Sequence, residues 1–181
     1  RELTGLVEGL AAQFEGDPPP RKRRAAEVNL LEDGTEEVID ATHAITATGG
    51  AGTPLWQTSG ITSGFLAVAD VLPAIARPEV INIRNGLFIL DGQTGAVLIG
   101  PGGSLLDQTI PIPGAGNGGA PTVADFDADG LPEISTAGQA AYVVYDPDCF
   151  NPPLRMGGQC SSNNTDLTLW STPTQDISSS R

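Results

Sequence analysis

Residues 122–135 read Thr-Val-Ala-Asp-Phe-Asp-Ala-Asp-Gly-Leu-Pro-Glu-Ile-Ser, an acidic loop between two short strand-like runs. Residues 26–39 read Ala-Glu-Val-Asn-Leu-Leu-Glu-Asp-Gly-Thr-Glu-Glu-Val-Ile and align with this stretch without a gap. Such self-similarity at a distance is the signature of a repeat architecture. The aligned pairs are Asn29 with Asp125, Asp33 with Asp129, Gly34 with Gly130, and Glu37 with Glu133.

A third copy begins at Leu66 and places Asp70 on Asp125; after one inserted residue, Glu79 falls on Glu133. The copies are about 40–55 residues apart, which is the length of one four-stranded β-propeller blade. Short apolar runs separated by glycine, proline and aspartate fill each copy, as in strands joined by turns. The sequence therefore predicts an all-β protein made of about three four-stranded antiparallel propeller blades.

The predicted repeats cover approximately residues 25–60, 61–115 and 116–181, and residues 1–24 form a separate N-terminal segment. A propeller ring usually needs four to eight blades. We therefore expect a fragment of a larger propeller, whose last repeat leads into a missing one. In the N-terminal segment, apolar residues at helical spacing precede Pro18–Pro20 and the basic run Arg21–Arg24. That run is interpreted as a solvated linker, with a processing or nuclear signal as the alternative.

The loop at residues 125–133 has the spacing of a calcium-binding loop. Oxygen ligands occupy its positions 1, 3, 5 and 9, a main-chain carbonyl supplies position 7, and Gly130 at position 6 permits the sharp turn. Four carboxylates this close together repel each other strongly unless a hard divalent cation lies between them. The predicted ligands are Asp125, Asp127, Asp129, the carbonyl of Leu131, and Glu133.

The flanks of this loop exclude an EF-hand. An EF-hand has helices on both sides and a bidentate glutamate at position 12. Position 12 is Thr136 here, and both flanks are strand-like. The first copy keeps Asn29, Asp33 and Glu37 and could retain some affinity, whereas the second copy lacks the aspartates and is expected to bind no metal.

Gly118-Gly119-Ala120-Pro121 followed by the aspartate loop resembles the FG-GAP repeat, also called the VCBS repeat. Repeats of this family form the propellers of integrin α-subunits and occur in many bacterial surface proteins. The resemblance is strongest over residues 117–146, is weaker over 25–181, and does not reach 1–24. It implies the same five calcium ligands, and residues 90–97 resemble a hairpin turn common in propeller blades.

The net charge of −13 disfavours binding to nucleic acid or to anionic lipid. No apolar run is long enough to cross a membrane as a helix. Cys149 and Cys160 lie in one polar loop, and a disulfide between them is preferred over two free thiols. Such a disulfide would indicate an oxidising compartment. We therefore expect a secreted or cell-surface location.

The leading functional hypothesis is a calcium-stabilised adhesion or binding module whose loops contact a protein or a glycan, and not an enzyme. The alternatives are part of a polysaccharide lyase of similar build, or a purely structural spacer. Few basic residues are available to neutralise a uronate, and His43, the single histidine, is interpreted as a non-catalytic residue. Trp56 and Trp170 occupy matching places in the repeat, which favours a structural role over sugar stacking. Asn163-Asn164-Thr165 fits a glycosylation sequon but is interpreted as part of a polar loop.

Overall fold

The structure is a computed structural model that describes residues 26–33, 36–40, 42–46, 52–114, 116–147 and 167–174. These residues form twelve β-strands and no α-helix. The prediction of an all-β protein is therefore confirmed. The predicted helical segment and linker of residues 1–24 lie outside the described residues, as do Cys149, Cys160 and Asn163.

The first sheet contains four strands in chain order, each antiparallel to the next. In register, Glu37 lies opposite Thr46 and Ala44 lies opposite Trp56. The strands are β1 (Ala26–Val28), β2 (Glu37–Ile39), β3 (His43–Thr46) and β4 (Thr53–Gln57).

The second sheet repeats this order with longer strands. All five residues of its second strand are buried. The alternating side chains of a strand point to opposite faces of the sheet, so both faces of this sheet are covered. The strands are β5 (Phe65–Ala69), β6 (Glu79–Ile83), β7 (Leu87–Asp91) and β8 (Val97–Ile99).

The third sheet has the same antiparallel order. Glu133 opens its second strand and lies opposite Ala124, while Trp170 lies opposite Val144. By register, Trp170 therefore has the place in this sheet that Trp56 has in the first. The strands are β9 (Thr122–Ala124), β10 (Glu133–Ala137), β11 (Ala141–Tyr145) and β12 (Thr168–Pro173).

Two apolar clusters join the three sheets in series. The face of the first sheet that carries Trp56 packs on Val80 and Leu90 of the second sheet. The opposite face of the second sheet packs on the third sheet. That second cluster includes Ile81, Ile83, Leu87, Ile89 and Ile99 from the second sheet and Ile134, Val143, Tyr145 and Leu167 from the third sheet or the residue beside it.

Polar contacts fix the stacking of the first sheet on the second. The indole Nε1 of Trp56 donates a hydrogen bond of 2.8 Å to the carbonyl of Gly92, and the hydroxyl of Thr58 donates one of 2.5 Å to the carbonyl of Gly95. Arg77 also donates from Nη1 to the carbonyl of Leu31. The end of β4 and Thr58 therefore bind the turn between β7 and β8 through two hydrogen bonds to its carbonyls.

The close packing of Trp56 on this turn requires a glycine at position 95. It has a φ of 69°, and a Cβ built on it would lie 2.5 Å from the Trp56 ring. We expect Gly95→Ala to lower the free energy of unfolding, because a side chain is disfavoured at this φ and would also displace the indole. Urea-induced unfolding, monitored by circular dichroism, measures the change.

Gly60 offers the matched control. Its φ is 85°, but nothing lies within 4 Å of a Cβ built there. Gly60→Ala should therefore cost only the backbone penalty of about 1 kcal/mol, and Gly95→Ala should cost about 1–3 kcal/mol more. Equal losses for the two variants would show that contact with Trp56 does not restrict this position.

Candidate metal centre

The acidic loop spans the gap between two paired strands. β9 ends at Ala124, β10 begins at Glu133, and these two residues lie opposite each other in register. The loop must therefore return within one strand spacing. This return brings together one carboxylate oxygen from each of four residues, all within 4.8 Å of one another. The four are Asp125, Asp127, Asp129 and Glu133.

Hydrogen bonds to the loop backbone orient the aspartates. Asp125 accepts from the N–H of Ala128 at 2.6 Å and from the N–H of Gly130 at 3.1 Å. Asp127 accepts from the N–H of Asp129 at 3.1 Å, and Asp129 accepts from the N–H of Leu131 at 2.8 Å. Each aspartate therefore closes a local turn of the loop.

Two residues of the loop have left-handed backbone. Gly130 has a φ of 96°, as its place at the sharp turn predicts, and Ala128 has a φ of 65°. An alanine in this region costs roughly 1–2 kcal/mol. The bonds that the Asp125 carboxylate accepts, from Ala128 and from Gly130, hold the backbone in this conformation. Some of the loop's hydrogen-bond energy is therefore used to gather the carboxylates.

Glu133 closes the site from the sheet side. It is buried, and its Oε2 accepts a hydrogen bond of 2.5 Å from the N–H of Phe126. Burial raises the pKa of Glu133 to about 7; the negative charges of the three aspartates act in the same direction, and the Phe126 N–H opposes them. A cation among the carboxylates would favour the ionised form of Glu133 instead.

The donor set fits a hard divalent cation. Carboxylate oxygens are the ligands that such ions prefer; three of the groups come from one loop, and the fourth is the first residue of β10. The N–H of Leu131 is engaged with Asp129. Ligation by the Leu131 carbonyl stays a prediction.

A buried glutamate has the same place in all three sheets. Glu37 Oε2 accepts from the N–H groups of Leu30 at 2.6 Å and Leu31 at 3.3 Å. Glu79 Oε2 accepts from Val71 at 2.8 Å and Leu72 at 3.2 Å. The bonds from Leu30 to Glu37 and from Val71 to Glu79 match the bond from the N–H of Phe126 to Glu133. The glutamate therefore ties the first loop of each sheet to its second strand, with or without the aspartates.

The first two loops do not gather a comparable set of carboxylates. In the first loop, the N–H of Asp33 donates to Asn29 Oδ1 at 3.1 Å. The neutral Asn29 therefore keeps a turn of this loop without supplying a carboxylate. The second loop keeps Asp70 and Glu79. Within the described part of the chain, the third loop holds the one group of three or more metal-ligating side chains close enough to share an ion.

Glu79 was anticipated only as a partner of Glu133 in the alignment, and its chemical state is a new finding. Its carboxyl is fully buried and lies on the same face of β6 as Ile81, which packs on the third sheet. Burial raises its pKa to about 8, the charge of Asp70 adds to this rise, and the N–H groups of Val71 and Leu72 reduce it. Glu79 is therefore protonated at neutral pH.

His43 lies beside a small polar cluster, but the geometry is not that of a catalytic relay. Its Nδ1 is 3.1 Å from Asp40 Oδ1 and 2.8 Å from the hydroxyl of Thr42. A nucleophile and an orienting carboxylate must contact different ring nitrogens for the histidine to pass a proton between them. Here, both partners lie at the same nitrogen.

The other candidate residues fall in different places. Trp56 is buried and has a structural role between two sheets, whereas Trp170 is exposed on the outer face of the third sheet. None of the described residues belongs to a helix that is long and apolar enough to cross a membrane.

No protein-family model, curated protein or solved structure matches this chain.

The protonated Glu79 makes stability depend on pH. Between pH 4.5 and about 8, the folded protein holds a proton that the unfolded chain has lost. The contribution is therefore complete below pH 4.5, and the free energy of unfolding falls by up to about 1.4 kcal/mol per pH unit as pH rises through this window. Urea unfolding at several pH values, with a chelator present, measures this fall.

Glu79→Gln isolates the effect, because glutamine resembles the protonated acid and still accepts from Val71 N–H. The variant should gain stability relative to the wild type as pH rises from 5 to 8. Asp70→Asn keeps the buried carboxyl of Glu79 and removes its charged neighbour. The free energy of unfolding of this variant should therefore still fall as pH rises, but by less than in the wild type. Parallel pH profiles for the wild type and Glu79→Gln would contradict this account of Glu79.

Proposed function

We propose that this chain is a calcium-stabilised β-propeller repeat module of the FG-GAP or VCBS type, which carries interaction loops on a secreted or cell-surface protein. The observation that carries the proposal is the convergence of Asp125, Asp127, Asp129 and Glu133 in one loop between two antiparallel strands. The calcium would be structural, and the contact with a protein or glycan partner would be made elsewhere on the loops.

Calcium is proposed over magnesium because of the ligand set. Magnesium requires a near-ideal octahedron and usually keeps several waters, whereas calcium takes 6–8 oxygens in a flexible arrangement. A loop with four carboxylates suits the larger and less demanding ion. Asp125, Asp127, Asp129 and Glu133 would hold it, with the carbonyl of Leu131 as the fifth protein ligand.

The arrangement of the sheets supports a propeller-type architecture. Each sheet has four antiparallel strands in chain order, which is the topology of a blade. The second sheet packs face to face on both of the others, as a blade packs on its two neighbours. The buried glutamate and its backbone contacts also recur at the same place in each sheet.

A bound cation would act on stability through electrostatics. Without it, three aspartates and a partly ionised glutamate repel one another within a few ångströms. The cation would remove this repulsion and favour the ionised form of Glu133. Because the unfolded chain does not hold the four carboxylates together, binding would favour the folded state by mass action.

A binding module is favoured over a lyase by the use of the arginines. Arg77 donates to the carbonyl of Leu31 and so serves to join two sheets. A lyase acting on acidic sugar needs positive groups to neutralise the uronate, and the described repeats contain only two arginines, Arg77 and Arg84, and no lysine. Extracellular placement rests on the acidic charge and on the proposed disulfide of Cys149 with Cys160.

Calcium is expected to raise the thermal unfolding midpoint of the full chain. At a free calcium concentration of 100 times Kd, the gain is about 2.7 kcal/mol, which corresponds to about 5–10 °C for a chain of this size. Differential scanning calorimetry with calcium and with chelator measures it. Magnesium at the same concentration should give a smaller rise.

Asp129→Asn and Asp33→Asn form a matched pair, because the two positions align in the third and first loops. Asp129→Asn should remove most of the calcium-dependent rise, while Asp33→Asn should leave it intact. If calcium stabilises both variants as much as the wild type, the ion binds elsewhere. If calcium stabilises none of the three proteins, the acidic loop is not a calcium site.

A further inference from the structure

The connection between the second and third sheets is much longer than the connection between the first and second. Residues 58–64 link β4 to β5, whereas residues 100–121 link β8 to β9, which is about three times as long. Both connections lead from the fourth strand of one sheet to the first strand of the next. Connections longer than about 12–15 residues are uncommon in compact domains and are often functional. The added length is therefore not needed to pass from one sheet to the next.

Part of the long connection lines a pocket of about 570 Å³. This volume lies within the range of ligand sites, which is about 300–1,000 Å³. Asn85, in the turn between β6 and β7, also lines it. We call it the Pro111 pocket. From the connection, its lining includes Thr109, Pro111, Ile112, Pro113 and Gly114.

The Pro111 pocket lies at the end of the sheets opposite the acidic loop. Ala140, in the turn between β10 and β11, donates its N–H to the carbonyl of Pro113 at 3.3 Å. The acidic loop lies at the other end of β10, which begins at Glu133. A strand of five residues spans about 16 Å. The pocket and the candidate metal centre are therefore separate, and no carboxylate lines the pocket.

Hydrogen bonds to its carbonyls hold the connection in place. The carbonyl of Ile110 accepts from the N–H of Leu87 at 3.0 Å, and the carbonyl of Pro111 accepts from the hydroxyl of Tyr145 at 2.7 Å. Proline also fixes its own φ, so Pro111 and Pro113 leave this segment little backbone freedom. The pocket is therefore formed before a ligand arrives, which lowers the entropic cost of binding.

Alternate residues of the connection have opposite environments. Ile110 and Ile112 are buried in the cluster between the second and third sheets. Thr109 and Pro111, which alternate with them, are exposed, and so is Asn85. The buried isoleucines anchor the segment, while its other side presents a hydroxyl and a proline ring to solvent.

The lining favours an uncharged aromatic side chain as the occupant. None of the lining residues is charged, so a charged group would lose water without gaining an ionic partner. The rings of Pro111 and Pro113 offer apolar surface, and Asn85 and Thr109 offer a few polar groups. This combination suits an aromatic ring that carries one polar atom. A sugar is less suited, because no aromatic ring lines the pocket for it to stack on.

We propose that the Pro111 pocket binds a tyrosine or tryptophan side chain from a basic segment of a partner protein. The proposal rests on the proposed function, because it gives the partner contact a place on loops away from the calcium. Aromatic residues that fill a pocket are frequent anchors of protein interfaces. The net charge of −13 attracts a partner with lysine or arginine beside the aromatic residue and repels an acidic partner.

The proposal is tested by NMR titration of the isotope-labelled full chain with the blocked peptide Lys-Lys-Tyr-Lys-Lys. The side-chain amide of Asn85 and the N–H groups of Thr109 and Gly114 should shift, with a Kd of about 0.1–1 mM for this single anchor. The same peptide with alanine in place of tyrosine should give no saturable shift at these groups. Serine in place of the lysines should weaken binding in low salt, and this difference should shrink in high salt.

Two variants test the lining directly. Asn85→Gly removes the amide, and glycine suits the φ of 57° at this position, so the turn is kept. Pro111→Ala removes a proline ring. Each should weaken binding of the tyrosine peptide about three- to tenfold. The matched control is Gln93→Ala, which removes an exposed amide from the turn at the other end of β7 and should bind like the wild type.

The NMR spectrum of each variant also shows whether it is folded. Absence of saturable shifts with the tyrosine peptide, or the same shifts with the alanine peptide, would overturn the proposal. So would equal affinity of the wild type and both pocket variants. Saturation of the same groups by N-acetylglucosamine but not by the tyrosine peptide would assign the pocket to a neutral sugar instead. Titrations with calcium and with chelator separate this proposal from the calcium site, because no proposed calcium ligand lines the pocket.

Discussion

A buried glutamate that accepts main-chain N–H groups from the preceding loop holds each sheet in shape. In the absence of this acceptor, the loop between the first two strands would leave buried amides unpaired, at about 1–3 kcal/mol for each. Glu37, Glu79 and Glu133 provide it in the three sheets. The acidic loop at Asp125 is built on the same tie, since the Phe126 amide bonded to Glu133 directly follows the first aspartate.

The equivalent glutamates of the second and third sheets have different charged neighbours, although burial disfavours the ionised form of both. In the second sheet the surroundings are apolar and a single aspartate is near, so a proton neutralises Glu79. In the third sheet three aspartates converge beside Glu133, and the four carboxylates are close enough together to hold a metal ion. Under the proposed function, a cation beside Glu133 would offset the cost of burying that carboxylate, as a proton does for Glu79.

The sequence predicted local features well and non-local ones poorly. The aspartate spacing predicted the loop, and Gly130 has the left-handed φ that its position requires. The burial of Glu79 could not be predicted, because it depends on how one face of the second sheet packs against residues that are distant in the chain. Ile45 and Leu90 show the same limit. They occupy the same register position in similar strands, yet one is exposed and the other fully buried, because only Leu90 has a sheet packed against it.

The most direct test of the account is a crystal structure of the full chain grown with calcium, with anomalous scattering used to locate the ion. The account predicts one calcium in the third loop, bound by Asp125, Asp127, Asp129, Glu133 and the Leu131 carbonyl, with none in the second loop. A third loop that holds the same conformation without an anomalous peak, or an ion bound away from these carboxylates, would contradict it.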